Sequence, residues 1–193
     1  MRMAGRRLLA LSVLLLSCDL KSAPHESAFD EALEDLVPGA HIGSTYGEAT
    51  RSISSLQFVP NTSTAPGGEV PNKRMGFVRY SLRLDLPSYE SAPDSAESVR
   101  WIEIWSTSRL SSDSVVERYS RTLGVPTDTT CLEFQGRPGY EVIRWLSTHG
   151  SVLLETPLRD DVNYSRLVFF RGAWSSTEYH RGERSTKCRM TTQ

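Results

Sequence analysis

The sequence predicts an α+β protein in which short helices pack on one face of an antiparallel sheet. The chain has 193 residues, 38% of them hydrophobic, which is enough for one ordinary domain with a single core. Its segments follow the order helix, helix, strands, helix, strands, and this order also fits two degenerate helix-plus-sheet units. We expect residues 27–171 to form the single domain and 172–193 to be an irregular C-terminal tail.

The first helix is predicted in the segment SAFDEALEDLVPG. Ser27 can serve as its N-cap, and Phe29, Leu33 and Leu36 recur at helical spacing on one face. Pro38 follows as a stop, because proline cannot continue a helix.

The second helix is predicted from a capping box. Thr45 and Glu48 have the required spacing, and Ala49 and Ile53 line one face after them. The following segment, 60–74, carries three prolines and two adjacent glycines, so we expect a long exposed loop there.

Six stretches have the apolar content of strands. In 77–86, apolar and polar residues alternate, which is typical of a strand with one face in water. The others are 99–105, 129–134, 139–146, 151–158 and 164–170. A third helix is predicted between the second and third strands, with Ser112 as its cap and Gly124 as its stop. Glu103 and Glu155 lie within strands, and alternation favours both pointing to water; the alternative is a buried acid.

The first 17 residues have the pattern of a secretion signal. Three arginines precede Leu8–Leu16, which is apolar apart from Ser12, and the small residue Ser17 follows. This run is too short to span a bilayer as a helix. Cleavage after it would change the formal net charge from −1 to −4, because three arginines and no acid are removed. A mildly acidic chain has no electrostatic reason to bind nucleic acid.

The segment Leu15-Leu16-Ser17-Cys18 resembles the lipobox of bacterial lipoproteins. The resemblance implies that Cys18 becomes the first mature residue and carries acyl chains, and two or more chains hold a protein durably on a membrane. It places the protein in the bacterial cell envelope, lipid-anchored to the inner or the outer membrane and facing the periplasm or the exterior. Residues 18–26 would be the tether. An ordinary signal peptide with an incidental cysteine is the alternative.

A second resemblance lies in residues 42–49. Gly43, Thr45 and Glu48 are similar to the Gly-x-Thr-x-x-Glu segment of the SmpA/OmlA-like small envelope lipoproteins. Members of that family assist outer-membrane protein assembly and have two helices packed on a short antiparallel sheet. The resemblance implies a related fold and a protein partner in the envelope, although the capping box alone would produce much of the pattern.

Two cysteines, Cys131 and Cys188, remain once Cys18 is lipidated. In an oxidising compartment they can form one disulfide, which would attach the predicted tail to the domain. Two free buried thiols are the alternative. A redox couple is disfavoured because the spacing is not Cys-x-x-Cys.

Four common catalytic or metal-binding motifs are absent from the sequence. It lacks His-Glu-x-x-His, Gly-x-Ser-x-Gly, a phosphate-binding glycine loop and a cysteine pair at zinc spacing. We therefore predict no catalytic residue, no metal ligand and no cofactor. Trp101, Trp105 and Trp145 lie on predicted strands and are the candidate binding aromatics, with burial in the core as the alternative.

These observations predict a membrane-anchored, non-enzymatic binding or assembly module of the cell envelope. Its contacts would be the membrane, through the lipid on Cys18, and an envelope protein, but no nucleic acid. Two alternatives remain open: an extracytoplasmic hydrolase whose site is dispersed along the chain, and an inhibitor of an extracytoplasmic enzyme.

Overall fold

A computed structural model of the protein describes residues 26–59, 64–84, 86, 89, 91–134, 137–146, 150–172 and 184–186. The predicted signal peptide, Cys18 and Cys188 lie outside these ranges. Within them, no helix is long and apolar enough to cross a membrane.

The described chain forms three α-helices, one 3₁₀ helix and a single antiparallel sheet of eight strands. The helices are α1 (Glu26–Glu34), α2 (Tyr46–Ser52) and α3 (Ser112–Leu123), with a 3₁₀ helix at Pro71–Gly76. The strands are β1 (Gly67–Glu69), β2 (Phe77–Leu84), β3 (Val99–Ser106), β4 (Asp128–Phe134), β5 (Arg137–Leu146), β6 (Gly150–Pro157), β7 (Arg166–Arg171) and β8 (Arg184–Thr186). α1 includes Ser27, which the sequence predicts as its cap.

Two meanders join to make the sheet. β1, β2 and β3 form the first, and β4 to β7 form the second. They meet where β7 pairs with β3, which gives the strand order β1-β2-β3-β7-β6-β5-β4-β8. Helices followed by an antiparallel meander thus occur twice along the chain, and the predicted α+β class is confirmed.

The described helices pack on one side of the sheet, which we call the helix face. Leu33 of α1 and Val115 of α3 share a buried core with sheet residues such as Ile102. The ring of Phe29 on α1 meets that of Phe169 on β7 edge-on, with 5.6 Å between centroids. Full burial of each such side chain stabilises the fold by roughly 1.5–3 kcal/mol, so this face holds the main core.

The helix ends follow the capping chemistry of their sequences. At α2, Thr45 Oγ1 accepts a hydrogen bond from the Glu48 N–H at 3.2 Å, and the Glu48 carboxylate accepts one from the Thr45 N–H at 2.8 Å. The predicted capping box is therefore present. At α3 the N-cap is Ser111, one residue before the predicted Ser112, and its side chain makes no capping hydrogen bond. Gly124 ends α3 with a φ of 81° and a ψ of −169°, a backbone conformation that glycine adopts far more readily than other residues.

Two segments differ from the predictions. The expected loop 60–74 contains β1, which pairs with Arg79–Ser81, and the 3₁₀ helix. The expected irregular tail 172–193 contains β8, which pairs with β4. Both strands have only three residues, which is too short for an alternating pattern to be visible in a sequence.

Candidate functional site

The other side of the sheet, which we call the far face, is also covered. Its centre is a second buried apolar cluster, to which no described helix residue belongs: Leu132, Val142, Leu153, Val168 and Phe170. The prediction of one wet side, made for 77–86, holds in part, because Arg79 is exposed on this face of β2 but Ser81 is buried there. Toward β1, β2 and β3 the far face is partly exposed, with Arg79 exposed and Arg83 and Trp105 half-buried.

A row of charged side chains crosses the far face on four adjacent strands, and we call it the charged row: Arg83, Glu103, Arg166 and Glu155. Arg83 donates from Nε and Nη2 to Glu103 Oε2 at 3.0 and 2.8 Å. Arg166 Nη1 lies 3.9 Å from Glu103 Oε1, and Arg166 Nε donates to Glu155 Oε2 at 2.8 Å. Positive and negative groups therefore alternate from β2 to β6.

Both carboxylates of the charged row are buried, since Glu103 is 3% exposed and Glu155 is 1% exposed. The prediction that they point to water is wrong. The alternation of side chains along a strand correctly predicts that both carboxylates lie on the side away from the helices. That far face is covered, however, and arginines on the neighbouring strands compensate the charge of the carboxylates. The Trp101 indole donates a further hydrogen bond to Glu103 Oε1 at 3.1 Å. These contacts fix the carboxylates in place and bind the two meanders together.

The three candidate binding tryptophans do not form one surface. Trp101 and Trp105 share the far face of β3 and are half-buried, as their spacing predicts. Trp145 lies on the helix face, is 4% exposed and donates its indole N–H to the Gly124 carbonyl at 3.0 Å. The guanidinium of Arg79 lies 5.6 Å from the centre of the Trp105 ring, which is a cation–π distance.

A groove with a volume of about 530 Å³ lies beside Trp105 at the β1 margin of the far face. Its lining includes Val59, Gly67, Arg79, Ser81, Arg83 and Trp105. A Cβ at Gly67 would lie 2.2 Å from the Tyr80 carbonyl oxygen, so the pairing of β1 with β2 requires glycine there. We call this space the β1 groove.

One polar group in the β1 groove is not satisfied. Ser81 is 6% exposed, and its Oγ has no hydrogen-bond partner among the described residues. A buried polar group without a partner costs about 1–3 kcal/mol, so such groups are rare and call for an explanation. Ser81 stands between Arg79 and Arg83 on the same face of β2.

Tyr140 lies at the other end of the charged row, on β5. Its hydroxyl is 3.3 Å from the hydroxyl of Tyr164. Burial is the largest of the causes that raise the pKa of Tyr140 to about 12. The hydrogen bond to Tyr164 and the electrostatic effect of the nearby Tyr164 phenol also raise it. The phenol is therefore neutral at every physiological pH.

Cys131, the described cysteine of the predicted disulfide, is buried on β4. In the pairing of β4 with β8, Cys131 lies opposite Thr186. Cys188 is two residues further along the sequence and lies outside the described residues.

The described residues contain no group of three or more His, Cys, Asp and Glu side chains that could hold a metal ion. Of the histidines, His41 is exposed ahead of α2. His25, His149 and His180 lie outside the described part of the chain.

No protein-family model, no curated protein and no solved structure matches this chain. The fold places it among α+β proteins with helices on one face of an antiparallel sheet.

Proposed function

We propose that this protein is a membrane-anchored, non-enzymatic binding module of the bacterial cell envelope whose partner is a protein. The observation that carries the proposal is the β1 groove, where the half-buried indole of Trp105, the guanidinium of Arg79 and the unsatisfied hydroxyl of Ser81 converge. Tryptophan and arginine are the side chains that most often dominate the energy of protein interfaces.

The charged row supports this function by holding one wall of the groove in place. Arg83 lines the groove, and its two hydrogen bonds to Glu103 fix its direction. Glu103 is held in turn by Trp101 and lies near Arg166. A site that is rigid before binding loses less conformational entropy when a partner arrives.

The proposed anchor is acyl lipid on Cys18, supported by the lipobox resemblance of residues 15–18. Since α1 begins at Glu26, the tether 18–26 reaches at most about 30 Å when fully extended. Such a short tether would keep the domain close to the membrane surface and limit its partners to proteins of that layer.

We also propose that Cys131 and Cys188 form the disulfide that the sequence predicts. The pairing of β4 with β8 supports it, because that pairing brings Thr186, two residues before Cys188, directly opposite Cys131. On the loop-entropy model such a bridge stabilises the fold by roughly 4 kcal/mol.

Intact-mass spectrometry of the protein made in a bacterial host tests the anchor and the bridge together. We expect the wild type to lose residues 1–17 and to gain acyl mass, and the Cys18→Ala variant to gain none. Reduction should add the mass of two hydrogens. Cleavage at another bond with no acyl mass would refute the anchor, and an unchanged mass on reduction would refute the bridge.

Site-specific cross-linking in cells tests the binding function. A photo-reactive residue at Val59, which is exposed beside the β1 groove, should give a discrete protein adduct that Arg79→Gln weakens. Val125 is also exposed but lies after α3, so it provides the matched control. Equal adducts at both positions, or an adduct insensitive to Arg79→Gln, would count against a binding site in this groove.

A further inference from the structure

We propose that the β1 groove binds a carboxylate of an acidic peptide, with Arg79 as its counter-ion, Ser81 as a hydrogen-bonding group and Trp105 as an apolar wall. This inference deepens the proposed binding function by naming the chemistry that the partner presents. It does not depend on the lipid anchor.

The charges around the groove leave one cation for a ligand. Arg83 is already bonded to Glu103 through Nε and Nη2. Arg79 is exposed, and among the described residues no carboxylate forms an ion pair with it. In the pairing of β1 with β2, the acidic residue opposite Arg79 is Glu69. The two side chains do not form an ion pair. A single available guanidinium matches one carboxylate better than a phosphate group, which carries a charge of about −1.5 to −2.

Ser81 supplies an observation that is independent of charge. Its hydroxyl is buried, lines the groove and has no hydrogen-bond partner among the described residues. A hydroxyl can donate to a carboxylate oxygen, and a charged acceptor makes the stronger kind of hydrogen bond. A ligand carboxylate lying between Arg79 and Ser81 would therefore satisfy both groups at once.

The remaining lining favours a peptide as the carrier of that carboxylate. The Trp105 ring and the exposed Val59 both provide apolar surface in the lining. The side chains that flank the carboxylate in a peptide can pack on the indole. The volume of about 530 Å³ falls within the range of roughly 300–1,000 Å³ that ligand sites occupy.

The test measures binding of three small probes to the purified protein as the host processes it. N-acetyl-phenylalanine carries the carboxylate beside an aromatic group, its amide lacks the charge, and phenyl phosphate replaces the carboxylate. We expect the carboxylate to bind about tenfold more tightly than the amide, and the indole N–H signal of Trp105 to move in the NMR spectrum.

Four variants separate binding from folding. Arg79→Gln should abolish the preference for the carboxylate over the amide, and Ser81→Ala should weaken carboxylate binding about threefold or more without lowering the unfolding temperature. Arg51→Gln removes an equivalent exposed charge from α2 and should bind as the wild type does. Glu69→Gln should strengthen binding, because it removes the competing acid.

Three results would overturn the proposal. The amide could bind as well as the carboxylate, phenyl phosphate could bind more tightly than the carboxylate, or Arg51→Gln could reduce binding as much as Arg79→Gln does. None of these results bears on the acyl mass at Cys18 or on the cross-link from Val59, so failure of this inference is distinguishable from failure of the proposed function.

Discussion

Glu155 and Arg166 face each other across β6 and β7 but differ in their contact with water. The side chain of Glu155 is 1% exposed and that of Arg166 is 23% exposed. Removing one member of a buried ion pair leaves an uncompensated charge, which typically costs about 3–5 kcal/mol, whereas replacing both members by apolar groups is often neutral. Because Glu155 is the more buried member, its carboxylate is the charge that Arg166 must compensate.

We therefore expect Arg166→Met to lower the free energy of unfolding by about 3 kcal/mol and Glu155→Leu/Arg166→Met to recover most of that loss. Urea denaturation of the two variants and of Glu155→Leu gives the coupling energy. Arg159→Met, which removes an exposed ion pair with Asp161, is the control and should change stability little. Strictly additive effects at Glu155 and Arg166 would show that the two side chains are not coupled.

Tyr140 gives a prediction for alkaline pH. Its pKa is about 12 in the folded state against 10.0 ordinarily, so between these values the folded state holds a proton that the unfolded state has lost. The free energy of unfolding therefore falls as the pH rises from 10 to 12.

Ultraviolet titration of tyrosinate should show a late step that Tyr140→Phe removes. Tyr164→Phe should move that step to lower pH, because the hydrogen bond and the proximity of Tyr164 both raise the pKa of Tyr140. A late step that survives in Tyr140→Phe would assign it to another tyrosine.

The directions of side chains follow from the sequence better than their surroundings do. Trp101, Glu103 and Trp105 share one face of β3, as the period of a strand requires. The burial of Glu103 depends on Arg83, twenty residues away in the chain, and on Val168 of β7 opposite it. Periodicity within one segment carries no information about such distant partners.

At the scale of elements, α2 and α3 begin in chemically different ways. Thr45 makes the full capping box at α2, whereas Ser111 precedes α3 without a capping hydrogen bond. We expect Thr45→Ala to lower the free energy of unfolding by about 1 kcal/mol and Ser111→Ala to change it by much less. Thermal unfolding of both variants makes the comparison, and equal losses would mean that the Thr45 hydrogen bonds contribute nothing specific.

Long elements were predictable and short ones were not. All six strands of six or more residues and the three α-helices fall in the segments that apolar periodicity indicates, although α1 begins before the predicted cap Ser27 and the N-cap of α3 is Ser111. β1 lies in a segment whose prolines and glycines indicate a loop, and only its pairing with β2 makes it a strand. The β1 groove was missed for the same reason, since its lining combines three segments that are distant in sequence.

At the scale of the whole molecule, the two meanders depend on each other. β3 pairs with β7, and the Phe29 ring of the first half packs on Phe169 of the second. We expect a fragment of residues 26–111 to lack a cooperative thermal transition by circular dichroism, because the apolar helix-face residues of β3 lose their neighbours. A cooperative transition in that fragment would instead support two independent helix-plus-sheet units.

The outermost strands of the sheet, β1 and β8, have three residues each, although the inner strands have six to ten. An exposed strand margin is a template on which another polypeptide can add its own backbone, and a long flat margin leads to aggregation. Here a neighbouring molecule meets only a few backbone groups at either margin of the described sheet. Copies crowded side by side would therefore not extend one another's sheets into a fibre, and this wide sheet can stay a separate molecule at high local concentration.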